Sequence, residues 1–73
     1  MSLYAQVVDV SKPYLGPAAE RFISRQCTAH LKIEPTAIIR GDLANLSKWV
    51  RSSGALVMDE RKATELAAKI SRL

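Results

Sequence analysis

Cys27 and His30 are the residues of this chain best suited by type to chemistry: a thiol and an imidazole three positions apart, close enough to touch on a helix. A thiol activated by a neighbouring base needs a third group to orient that base, and no carboxylate is locally placed for the task. As metal ligands the two fill half of a tetrahedral set, and the chain holds one Cys and one His in all. A structural zinc site of Cys and His ligands is therefore excluded, and no metal or other cofactor is expected. Cys27 reads instead as a small buried or boundary hydrophobe. The carboxylates Asp9, Glu20, Glu34, Asp42, Asp59, Glu60 and Glu65 stand where helix caps and surface pairs account for them. No enzyme is expected.

Gln26 and His30 fall at i and i+4 within the apolar face expected for their helix. A buried polar side chain without a partner costs roughly 1–3 kcal/mol. These two either bond to the backbone ends of neighbouring helices or border an interface, where an imidazole would bring sensitivity to mildly acidic pH. Arg21, Arg25 and Lys32, with Lys48 and Arg51 further along, are the candidate nucleic-acid contacts. The break at Gly41 before a helix loosely suggests a helix-turn-helix with Asn45, Lys48, Arg51 and Ser52 facing a groove. The basic groups are spread over different helices, and Asp42 and Glu34 dilute them, so a solvated charged face is the favoured reading. Arg40-Gly41-Asp42 spells an integrin tripeptide, but Asp42 is wanted as a cap. Gly16-Pro17 lacks the further glycines or lysine of a phosphate loop and reads as a capping turn. Trp49 sits at the edge of its helix's apolar stripe; it anchors the core through its ring or, exposed, forms an interface hot spot.

The elements that position these residues are helices. Gly16-Pro17, Glu34-Pro35 and Gly41-Asp42 each precede apolar residues at helical spacing, and proline suits the first helical turn. Leu3 to Ser11 carries both helical spacing and β-favouring valines; a lone strand would have no partner, so a short helix ended by Pro13 is expected. Pro17 to Leu31 is the clearest helix, with Ala18, Ala19, Phe22, Ile23, Gln26, Ala29 and His30 on one face and Arg21, Arg25, Thr28 and Lys32 opposite. One turn follows at 35–40. Asp42 is expected to cap a third helix by accepting from backbone N–H groups near Asn45. That helix carries Leu43, Leu46, Trp49, Val50 and Ser53 on one side. Its period continues through Gly54 into Leu56 and Val57, favouring a helix to about Met58 over termination at Gly54 with a packed connector. Asp59 caps the last helix, with the stripe Ala63, Leu66, Ala67, Ile70 and Leu73, and Glu65 is placed to pair with Arg61 and Lys69. The fold class expected is all-α: a compact bundle of about four short helices plus one helical turn.

Seventy-three residues make a single small domain, 1–73, either standing alone or as a fragment of a larger protein. At this size a core supplies roughly 3–5 kcal/mol of net stability. With one Cys no internal disulfide adds to it, so helix packing or a partner must. A 48% hydrophobic and 25% charged composition is that of a folded domain rather than a disordered one. The net charge of +4 permits an acidic partner or nucleic acid. No apolar run approaches the roughly 20 residues of a membrane-spanning helix. Met1-Ser2-Leu3 lacks the basic and apolar regions of a secretory leader, so a cytoplasmic setting without membrane association is expected.

Tyr14-Leu15-Gly16-Pro17-Ala18-Ala19, followed by Phe22-Ile23 and Arg25, resembles the small helical modules at the ends of bacterial signalling proteins, over residues 14–31. The resemblance implies a regulatory or assembly accessory rather than an enzyme, and carries over no functional residue. The expectation is thus a protein–protein interaction or oligomerisation module of a signalling or regulatory kind, binding a protein partner or a second copy. Its interface would be drawn from Trp49, Leu56, Val57, Ile70 and Leu73, with no small-molecule ligand. A basic helical nucleic-acid-binding domain is the alternative.

Overall fold

The first and last helices of this chain begin at a polar side chain that caps them, and the second follows a proline-bearing turn. The structure, a computed structural model, describes residues 2–73; Met1, the first residue of the expected leaderless start, lies outside them. Helix α1 spans Leu3–Leu15, and the Ser2 hydroxyl accepts from the Ala5 N–H at 3.1 Å. Pro13 does not end this helix, as the sequence suggested. It lies in the last turn, where its missing N–H forfeits a single bond, and the helix stops two residues later. There Gly16, at φ 59°, turns its N–H back to the Lys12 carbonyl.

A 3-10 turn, Gly16–Ala18, leads into α2, Ala19–Arg25, which runs on as a π-helical segment, Gln26–Leu31. Lys32 closes it in the left-handed conformation, and both Lys32 and Ile33 donate to the Cys27 carbonyl. In the wider π turn residues i and i+4 stand more nearly in line than in an α-helix. Ile23 and Cys27 accordingly enter the core together, with Leu31 packed against it. Ala29 and His30, expected inside, are exposed, as is Ala18 in the preceding 3-10 turn.

Two 3-10 turns, Pro35–Ala37 and Arg40–Asp42, form the corner before α3, Leu43–Gly54. Asp42 does not cap α3 forward. Its carboxylate reaches back to accept from the Ile39 N–H at 3.1 Å, because it sits at the end of the 3-10 turn rather than before the helix. The expected continuation to Met58 also fails: α3 stops at Gly54, whose carbonyl accepts from both Val57 and Met58. Helix α4, Glu60–Ser71, starts as expected, with an Asp59 carboxylate oxygen accepting from the Lys62 N–H at 2.7 Å.

Helices α3 and α4 form an antiparallel hairpin; α1 packs across α2 and α4, and the π segment lies against α3. Val7, Val8, Ala19, Ile23, Cys27, Ile38, Leu43, Leu46, Val50, Leu66 and Ile70 share one core. Buried hydroxyls are satisfied within their own helices, Ser11 donating to the Val7 carbonyl and Ser47 to that of Leu43. The α-carbon radius of gyration of 10.6 Å matches the roughly 11 Å of a packed domain of this length. The fold is all-α, with four α-helices and no strand among the described residues.

Candidate interaction surface

Side chains of α2 and the π segment meet α3 along a polar–aromatic seam. The His30 and Trp49 rings stack with centroids 4.1 Å apart and planes 8° from parallel. One turn away the Ser53 hydroxyl donates to the Gln26 side-chain oxygen at 3.0 Å. Two residues four apart on one helix thus meet two four apart on the other, Gln26 through a hydrogen bond and His30 through a ring stack. The Gln26 contact is side chain to side chain rather than the backbone-end bonding considered from sequence. Trp49 is half-buried by the stack and is committed to this seam.

Cys27 points away from His30 into the core. Burial pushes its thiol pKa up, and the Asp42 carboxylate adds to the effect. A raised thiol holds less thiolate at neutral pH, the reverse of what a nucleophile needs. Among the described residues no three His, Cys, Asp or Glu side chains stand close enough to hold a metal ion. No helix among them is long and apolar enough to cross a membrane.

Further clasps close the bundle. The Tyr4 hydroxyl lies beside Glu20 and Ser24 of α2; burial first, and then the Glu20 charge, raise its pKa. Lys69 turns to Tyr14, with its ammonium 5.1 Å from the ring centroid, and a hydrogen bond to that phenol raises the lysine pKa. Neither Lys69 nor Arg61 reaches ion-pair distance of Glu65, although the Glu65 charge contributes to raising the Lys69 pKa; among the described residues Lys12–Asp9 is the ion pair formed. The Arg40 guanidinium donates to the Leu73 carbonyl and Asp42 is held by Ile39, so the Arg-Gly-Asp run is engaged in the corner.

The apolar groups nominated for an interface divide sharply. Ile70 is fully buried and belongs to the domain's own core, and Leu73 packs partly against it; the stripe of α4 is used internally. Leu56 and Val57, by contrast, are 87% and 63% exposed, adjacent in the loop that joins α3 to α4. Because α3 ends at Gly54, neither continues the stripe that carries Trp49. Ile39, 64% exposed at the opposite end of α3, was not nominated.

The basic groups divide as well. Arg21 and Arg25 lie on the outer side of α2 and Lys32 at its far end, all exposed. Lys48 and Arg51 lie on the other flank of α3 from Trp49 and Ser53, and line a groove of about 340 Å³ between α3 and α4. Ala44, Ser47, Thr64, Ala67, Ala68 and Ser71 complete its lining. Asn45 and Ser52 are exposed on α3, but the turn before it is a three-residue 3-10 turn, not the first helix of a helix-turn-helix. The groove has a sequence signature: small residues recur at 44 and 47 on one helix and at 64, 67, 68 and 71 on the other, beside and partly within each apolar stripe.

No family model matches the sequence, and neither a curated protein nor a solved structure matches it.

Proposed function

We propose that this domain is a protein-interaction module whose contact surface is the α3–α4 hairpin. The observation that carries the reading is the exposure of Leu56 and Val57 side by side at the hairpin tip. Burying an aliphatic side chain of this size is worth about 1.5–3 kcal/mol. The domain's own core makes no use of that stabilisation here, and a partner would. A regulatory or assembly role in a signalling protein, as the resemblance of residues 14–31 implies, agrees with a module that acts by contact.

A second copy is a poor occupant. A two-fold pairing would bring together two domains that each carry a net charge of +4. A nucleic-acid role is less well supported, because the five candidate cations occupy separate flanks instead of one continuous footprint. Catalysis by Cys27 and His30 has no support, with the thiol in the core and the imidazole stacked on Trp49.

Peptide-display selection on the folded domain tests the proposal. It should enrich a peptide class whose affinity falls about tenfold or more, some 1.4 kcal/mol, on the double change Leu56→Ser and Val57→Ser. Both residues are exposed, so folding should be unaffected. Failure to enrich any class, or enrichment indifferent to the double change, would count against the reading. Tight binding of mixed-sequence DNA or RNA with a steep salt slope would favour the nucleic-acid alternative.

A further inference from the structure

We infer that the α3–α4 groove receives an acidic amphipathic helix of the partner. The inference rests on the interaction reading above and names the chemistry of what docks.

The floor of the groove decides between a packed segment and a small anion. Two of its hydroxyls are already spent: Ser47 donates to the Leu43 carbonyl at 2.7 Å and Ser71 to the Ala68 carbonyl at 2.8 Å. With Ala44, Ala67 and Ala68 beside them and Thr64 the one further hydroxyl, the floor offers mainly short carbon surface rather than a ring of donors. Short side chains let a third helix approach to the roughly 8–10 Å between axes at which helices pack. From Ala44 to Arg51 the groove follows two turns of α3, about 10 Å, which suits two turns of a bound helix.

The rim decides the charge of the occupant. Lys48 and Arg51 are exposed, and neither has a carboxylate within ion-pair distance among the described residues. They stand three apart on one edge, matched by acidic residues three or four apart on a bound helix. A net charge of +4 adds a favourable long-range field for such a partner and disfavours a second copy of this chain. One turn beyond Arg51 the chain leaves α3 and enters the loop carrying Leu56 and Val57, which are not part of the groove's lining. Two rim cations suit two carboxylates; they are few for a duplex, whose binding proteins make several phosphate contacts.

The probe is a synthetic helical peptide of alanine and leucine on one face, flanked by glutamates, labelled for fluorescence anisotropy. Its control has lysine in place of every glutamate. The acidic peptide should bind and the lysine peptide should not, with affinity falling as salt rises from about 0.1 M to 1 M. The double change Lys48→Glu and Arg51→Glu should weaken binding about tenfold or more, and Ala44→Phe, which fills the groove without touching charge, should do the same. All three positions are exposed, and continued protection of the Cys27 thiol checks that each variant is folded. Equal binding of the two peptides, or no binding at about 1 mM, overturns the inference. So does binding lost on Leu56→Ser and Val57→Ser but unmoved by the groove variants; in that case the hairpin-tip reading survives and the groove falls. Oligonucleotide binding lost in the same groove variants, or self-association by light scattering that the groove variants abolish, would assign the groove to another occupant.

Discussion

Leu46→Ala should leave much of the domain unfolded at room temperature. Leu46 is fully buried at the centre of α3, in the same core as Ile23, Leu66 and Ile70. Truncating a leucine at such a site removes its transfer free energy and leaves a cavity, together about 2–5 kcal/mol. A single core in a chain of this size provides roughly 3–5 kcal/mol in total, so the loss is comparable with the whole. The molecule carries its own reporter. Cys27 lies in that core with its thiol pKa raised by burial, so it should resist alkylation in the wild type and react readily in Leu46→Ala. Leu46→Met, which nearly conserves volume, should cost less than about 1.5 kcal/mol and keep the thiol protected. A Leu46→Ala variant as protected as wild type would mean that the core is not organised around α3.

Gly54→Leu should be nearly as damaging, for the opposite reason. Gly54 is buried at the end of α3 against the first turns of α4. A Cβ placed there would stand 3.2 Å from the Ala63 Cβ and 3.5 Å from the Met58 Cε. The methionine tip is flexible and can move; Ala63 is held in its helix. Gly54→Ala sets that tight contact against about 1 kcal/mol of helix propensity and should come out near neutral. A leucine has nowhere to go between the two helices. It should lower stability by about 1–3 kcal/mol, read as a lower urea midpoint, and spread the hairpin. Because the groove lies between the same two helices, acidic-peptide affinity should fall with it. A Gly54→Leu midpoint equal to that of Gly54→Ala would contradict the close approach.

These two positions show what the sequence could and could not convey. The stripe Leu43, Leu46 and Val50 and the stripe Ala63, Leu66, Ala67 and Ile70 were legible, since helical period follows directly from which residues are apolar, and all seven are buried. Asp59 was legible because a cap depends only on the three residues after it. Gly54 was not. The apolar period runs on through Leu56 and Val57, and only the proximity of Ala63 explains why a glycine stands there. The π segment was hidden for a similar reason: seating Cys27 with Ile23 widens the turn, and that is a demand of the core rather than of local propensity. Asp42 was assigned the wrong direction because a 3-10 turn before α3 moved it from the cap position into the turn itself. On the surface, Leu56 and Val57 were expected as part of a helical stripe, whereas the structure places them exposed in a loop beyond the end of α3. The groove is a space between two helices, and only their small residues hinted at it.

Chemical-shift mapping on the ¹⁵N-labelled domain, with an acidic helical peptide added, tests the central claim most directly. The account predicts that the perturbed amides gather at Ala44, Ser47, Lys48 and Arg51, at Leu56 and Val57, and at Thr64, Ala68 and Ser71. Perturbations centred on Arg21, Arg25 and Lys32, or no perturbation of the hairpin at saturating peptide, would contradict it.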